Sequence, residues 1–172
     1  MKKLIALAAA LVLGVNLQSA TAAALAQNTE ELRLQGILDP TTGAGDEFSL
    51  AVSYGYFFID NVQAGGRIHF KNDDIVRDIG AGAFIEGNID TGSEVVPFGE
   101  AFIGLSNVDV EKIGDSTAVM LELRLGAKYF IADHVAIALA GVFAVATDDI
   151  YVDNSKVRDT DAFLELSLRC YF

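Results

Sequence analysis

The last twelve residues of the chain, "DAFLELSLRCYF", alternate in character. Leu164, Leu166, Leu168, Cys170 and Phe172 fall on one side, and Asp161, Phe163, Glu165, Ser167, Arg169 and Tyr171 on the other. Successive side chains of a strand point to opposite faces, so a strand keeps these sets apart where a helix would mix them. The stretch "AVMLELRLGAKYF" repeats the pattern: Val119, Leu121, Leu123, Leu125, Ala127 and Tyr129 lie opposite Met120, Glu122, Arg124, Gly126 and Lys128. In both segments one face is continuously apolar and the other carries full charges.

Extending this reading predicts eight strands, at 30–38, 46–58, 62–71, 77–88, 95–108, 117–130, 135–147 and 160–172. Most exceed the five or six residues usual in soluble sheets and match the roughly 9–11 that a tilted strand needs to cross a bilayer. The connections alternate as well. Strands two and three, four and five, and six and seven are joined by "ID", "NIDTGSE" and "IADH". The other links, "DPTTGAG", "NDDIVR", "VDVEKIGD" and "DDIYVDNSKVRDT", are generally longer and rich in acids. Short turns at one rim and longer loops at the other are the asymmetry of a transmembrane barrel. The fold expected is all-β, an eight-stranded antiparallel transmembrane β-barrel with both termini at the short-turn, periplasmic rim. A soluble barrel with an apolar interior is the alternative, since alternation alone does not say which face is inside; span length and the alternating turns favour the membrane form.

One short stretch occurs twice. "YGYFFIDNV" at 54–62 is echoed by "KYFIADHV" at 128–135, which sets Tyr56 over Tyr129, Phe57 over Phe130, Asp60 over Asp133 and Val62 over Val135. Each copy ends one strand and begins the next. Tyr56, Phe57, Tyr129 and Phe130 are therefore expected as aromatics at the membrane rim, with Asp60-Asn61 and Asp133-His134 as turn residues.

If the charged faces point inward, strand parity names the lumen. Arg67, His69 and Lys71 come from strand three, Glu86 from strand four and Glu100 from strand five; Glu122, Arg124 and Lys128 come from strand six, and Glu165 and Arg169 from strand eight. Asp78, Glu31 and Arg33 share that parity. Buried charges must be paired, and both signs are present, so a salt-bridged and largely closed interior follows. Strand seven turns Ala136, Ala138, Ala140, Ala144 and Ala146 to the same side, which leaves room for the long side chains in a barrel only wide enough to be filled by them.

The N-terminus adds an export signal. Lys2 and Lys3 precede an apolar run from Leu4 to Val15 and a small-residue region, the arrangement of a secretory leader. Ala24-Leu25-Ala26 is the better cleavage site and Ala20-Thr21-Ala22 a competitor, so residues 1–26 are expected to be removed and 27–172 to form the barrel. Removal takes two of the twelve basic residues and none of the 24 acidic ones, moving the net charge from −12 to −14. That sign argues against nucleic acid as a partner. Cys170 is the single cysteine, which rules out an intramolecular disulfide.

Candidate chemistry changes the picture little. "GAGAF" at 80–84 lacks the helix and the Lys-Ser or Lys-Thr of a phosphate loop. Neither His69 nor His134 sits in a metal or nucleophile motif, so no catalytic residue, cofactor or metal is assigned. A lipid-processing group of His69 with Ser49 or Ser53 and Glu86 is the one enzymatic arrangement that parity allows. The acidic outer loops, with Asp73, Asp74, Asp109, Glu111, Asp115, Asp148, Asp149, Asp153, Asp159 and Asp161, offer oxygen ligands for calcium or magnesium without a motif that fixes a site.

With the leader "MKKLIALAAALVLG", the paired "YFFIDNV" and "YFIADHV" turns and the terminal "LELSLRCYF", the chain resembles small bacterial outer-membrane β-barrels of the OmpA-like, porin-family superfamily. Leu164, Leu166, Leu168 and the terminal Phe172 are similar to the family's C-terminal assembly signal, with Cys170 where an aromatic is often found. The resemblance implies a Gram-negative outer membrane, contact with outer-membrane lipids and lipopolysaccharide, and recognition by the outer-membrane assembly machinery. It also implies a non-enzymatic role in envelope integrity or in surface or host interaction through the acidic loops. A narrow passive channel for ions or small solutes is the alternative function, and a lipid-modifying enzyme ranks below it.

Overall fold

The computed structural model describes residues 24–38, 48–72, 76–110, 114–153 and 156–172. Its strands are β1 (Glu30–Leu38), β2 (Phe48–Ile59), β3 (Val62–Asn72), β4 (Val76–Asn88), β5 (Val95–Val110), β6 (Gly114–Ala132), β7 (Val135–Ala146), β8 (Tyr151–Asp153), β9 (Lys156–Arg158) and β10 (Thr160–Tyr171). Eight of them close a barrel in the order β1-β10-β7-β6-β5-β4-β3-β2, every neighbour antiparallel. The seam pairs β1 with β10, from Glu31 opposite Tyr171 to Leu38 opposite Leu164. Closure leaves no open sheet edge, the condition for a sheet to sit in lipid.

The outward face is a continuous apolar belt. On β6 it runs from Val119 through Leu121, Leu123 and Leu125 to Ile131, and on β10 it comprises Leu164, Leu166, Leu168 and Phe172. Ile68 and Phe70 of β3, Ile79 and Ile85 of β4, and Ile103 and Leu105 of β5 continue it around the barrel. Its outer edge is marked on the β5–β6 hairpin, where the next outward pair after Leu105 opposite Val119 is Asn107 opposite Thr117, bonded side chain to side chain at 3.1 Å. Tyr54 and Tyr56 stand on the outward face toward the other edge.

Two features depart from the sequence expectation. The outer connections are partly taken up by strand: β5 reaches Val110 and β6 begins at Gly114, with Val110 paired to Gly114. At 19 residues, β6 is far longer than the roughly 9–11 a crossing needs, so this hairpin stands above the belt. The last outer connection, read as loop, contains the β8–β9 hairpin.

The repeated motif proves to be a bulge followed by a two-residue turn. The ladder slips between Phe57 and Ile59 in the first copy and between Phe130 and Ala132 in the second. A bulge sets two residues against one, so Phe58 and Ile59 both face outward, as do Ile131 and Ala132. The expectation that all four aromatics line the membrane rim at the short-turn end is corrected here. Tyr56 is exposed and Tyr129 half-buried on the outward face, but Phe57 and Phe130 are fully buried inside. Tyr56-Phe57 and Tyr129-Phe130 lie in the regular ladder before each bulge, where neighbouring side chains take opposite faces, so one aromatic of each pair turns inward.

Candidate functional site

The interior is a polar cluster closed at each end by apolar side chains. Five carboxylates, Glu31, Glu86, Glu100, Glu122 and Glu165, meet five cations, Arg33, Arg67, Arg124, Lys128 and Arg169. They reach the centre from six strands, and all but Glu122 are buried. Equal numbers of each sign leave the cluster neutral, which the low dielectric of a filled barrel demands.

Two carboxylates organise it. Glu86 accepts from Arg169 Nη1 at 2.7 Å, Lys128 Nζ at 2.7 Å, Gln63 Nε2 at 2.7 Å and Arg33 Nη2 at 2.9 Å. Glu100 accepts from Arg33 Nη1, from Arg67 Nη2 and from Arg124 Nη1 at 3.2 Å. Arg33 is the link between them and also bonds Glu31 through Nε at 2.8 Å. On the outer side Arg124 continues to Glu165 at 3.1 Å and Glu122 at 2.6 Å, while Arg67 reaches Glu122 at 3.0 Å. Aromatic rings fill the gaps: the guanidinium of Arg169 lies 4.3 Å from the centre of Phe98, that of Arg67 4.5 Å from Phe102 and that of Arg33 4.9 Å from Phe84.

The two ends differ in how they are stopped. At the inner end, Phe57, Val96, Phe130, Ala136 and Tyr171 pack with Ala24 and Leu25. At the outer end, Phe84, Phe102, Val108, Ala118, Met120 and Ala146 are covered by Ile150, with Tyr151 packed against them. Burial pushes the Tyr151 phenol above its ordinary range, and the nearby Glu122, Asp161 and Asp78 carboxylates add to that.

Eight of the ten lumen residues named from parity, Arg67, Glu86, Glu100, Glu122, Arg124, Lys128, Glu165 and Arg169, meet in the central cluster, and Glu31 and Arg33 join them. His69 and Lys71 do not. His69 Nε2 lies 3.4 Å from Asp78, which also accepts from Ser106 Oγ, and a Cβ on Gly80 would occupy the space of the imidazole ring. Lys71 is half-buried on the same level, opposite Ser49 and Asp78 in the neighbouring strands. Both face inward as expected and lie nearer the outer mouth, because they follow Arg67 along β3, which runs toward that mouth.

Three uncharged side chains complete the cluster, of which only Ser53 was singled out by parity. Gln63 bridges Glu31 and Glu86, Gln35 bonds Glu165 at 2.7 Å, and Ser53 Oγ donates to Gln35 and accepts from Arg67 Nε at 3.2 Å. Gln63 shares parity with Arg67, so the signal was present; the search for charge passed over it. Nor does the barrel assemble His69 with Ser53 and Glu86. Ser53 is held by Gln35 and Arg67, Glu86 by four donors deeper in the lumen, and His69 and Ser106 meet only through Asp78. An imidazole must lie beside the hydroxyl it activates, and here the carboxylate stands between them. Among the described residues no group of three His, Cys, Asp or Glu is placed to hold a metal ion. Asp73, Asp74 and Glu111 lie outside the described residues.

No protein-family model and no curated protein sequence matches the chain. Solved structures do. The N-terminal β-barrel domain of Pseudomonas aeruginosa OprF is similar at 16% identity, over 85% of this chain and 98% of that one, with a TM-score of 0.64. Neisserial surface protein A is similar at 20% identity, over 84% of this chain and 96% of that one, with a TM-score of 0.60. The outer membrane enzyme PagL is similar at 11% identity, over 81% of this chain and 98% of that one, with a TM-score of 0.53. At such identities the likeness is one of fold: the chain is a small eight-stranded barrel of the outer-membrane type, with a continuous apolar belt on its outward face.

Proposed function

We propose that the chain is a non-enzymatic structural barrel of the outer membrane, with a closed interior that keeps the wall rigid while the outer hairpins meet the surroundings. The observation that carries this reading is the filled lumen: Glu86 and Glu100 each bind three cations from different strands, and apolar side chains stop both ends. Water and ions would have to displace bonded charges to pass. The belt contacts outer-membrane lipids and, in the outer leaflet, lipopolysaccharide; Leu164, Leu166, Leu168 and Phe172 present the assembly machinery with a continuous apolar edge; the acidic outer residues are the surface offered to a ligand.

Planar-bilayer recording tests the closed interior. Stably inserted protein is expected to be electrically silent, and Arg124→Glu, which sets a fourth carboxylate beside Glu100, Glu122 and Glu165, is expected to produce openings. Steady ohmic steps from the unaltered chain would replace this reading with the passive channel. An altered lipid profile in cells expressing the chain, lost in His69→Ala, would replace it with an enzyme.

A further inference from the structure

Among the small-x-small sites of the leader, Ala20-Thr21-Ala22 and Ala24-Leu25-Ala26 have different consequences in the structure. Ala24 and Leu25 are buried beneath the inner mouth, at 1% and 2% exposure, against Phe57, Val96, Phe130, Ala136 and Tyr171. The backbone reaches them from β1 by a reversal at Asn28, whose φ of 70° is left-handed. That reversal is held at several points. Asn28 N–H donates to the Phe57 carbonyl at 2.8 Å, and its side-chain oxygen accepts from the Tyr56 hydroxyl at 2.7 Å. Gln27 N–H donates to Asp60 Oδ1 at 2.7 Å, and the Leu25 carbonyl accepts from Asn61 N–H at 2.8 Å.

These anchors all lie in the first copy of the repeated motif. The second copy holds the other end of the chain, through Tyr171 N–H to the His134 carbonyl at 2.8 Å. Each turn motif thus ties down one terminus, and Leu25 and Tyr171 meet in the same apolar cluster.

We propose that the export peptidase cuts after Ala20-Thr21-Ala22 and that the mature protein keeps Leu25 as the inner stopper of its barrel. Water adds to the Ala22 carbonyl, the Ala22–Ala23 amide breaks, and a carboxylate on Ala22 and an amine on Ala23 result. The peptidase meets the chain before it folds, so both sites are open to it. Cutting before Gln27 would instead discard Ala24 and Leu25 and turn Phe57, Phe130 and Tyr171 toward water, a loss of apolar burial that the anchored reversal is built to prevent.

Intact-mass measurement and N-terminal sequencing of protein purified from the outer membrane of a Gram-negative host decide the matter. A start at Ala23 is expected; a start at Gln27 overturns the proposal. The stopper is tested separately by refolding chains that begin at Ala23 and at Gln27: the shorter one is expected to melt about 5 °C lower, as is Leu25→Asp in the longer one. Equal melting would overturn the stopper role. A Gln27 start in an electrically silent barrel would reject this inference and leave the closed-interior reading standing.

Discussion

Adjacent strands β6 and β7 face the same lumen with opposite chemistry. β6 turns Glu122, Arg124 and Lys128 inward, while the inward face of β7 is Ala136, Ala138, Ala140, Val142, Ala144 and Ala146. The two are paired residue for residue, Lys128 opposite Ala138 and Glu122 opposite Ala144. A barrel this narrow has room for long side chains from six strands only if another stretch of its wall is lined by short ones. The charged wall supplies the cross-bracing and the small wall supplies the space, and neither would work if repeated around the whole circumference.

The contrast can be broken from either side. The largest effect is expected from Lys128→Ala, which removes a cation shared by Glu31 and Glu86 and leaves a void beside them; about 3–5 kcal/mol of stability should be lost. Urea titration in lipid vesicles, followed by circular dichroism because the chain has no tryptophan, would measure it. Lys128→Met combined with Glu86→Leu should recover part of that loss, since apolar pairs often replace buried ion pairs at little cost; full additivity of the two changes would contradict the network.

On the outward face of the same strand, Leu125→Arg puts a charge near the middle of the belt and should cost about 2–4 kcal/mol in the same titration. A neutral result would show that this face does not meet lipid. On the small wall, Ala138→Leu should cost about 1–3 kcal/mol by overfilling the lumen beside Lys128 and Ser167. If it stabilised the barrel, β7 would line a void rather than make room. Glu122→Gln sharpens the comparison by a small step: Glu122 is 11% exposed, and Arg67 and Arg124 both keep Glu100, so a change of about 1 kcal/mol is expected. Loss of heat-modifiable gel migration in this variant would show that the outer part of the network matters as much as the centre.

Much of this architecture was legible before any coordinates, and the reason is local. Pleating alone decides that Arg124 and Leu125 face opposite ways, so the strands and their two faces followed from alternation, while span length and the alternating turns favoured the charged face for the lumen. The same rule, applied to Tyr56-Phe57 and Tyr129-Phe130, forbids a shared rim face. The paired aromatic words suggested a single role, and the bulge beside each was invisible without the ladder of the partner strand. The cover at the outer mouth was equally hidden, because Ile150 and Tyr151 sit in a segment whose acids read as solvated loop.

Which charge meets which is a different kind of fact. Parity put Arg33, Glu86 and Glu100 inside but was silent on their level, and Arg33 is 53 and 67 residues from the two carboxylates. Their meeting depends on the register of every ladder between them and on the stagger with which β1 closes onto β10. The periodicity of the sequence determined the faces, because a side chain's direction depends on its immediate backbone. Only tertiary closure decided which depths coincide, and with them the Glu86 and Glu100 hubs and the burial of Leu25 beneath the inner mouth.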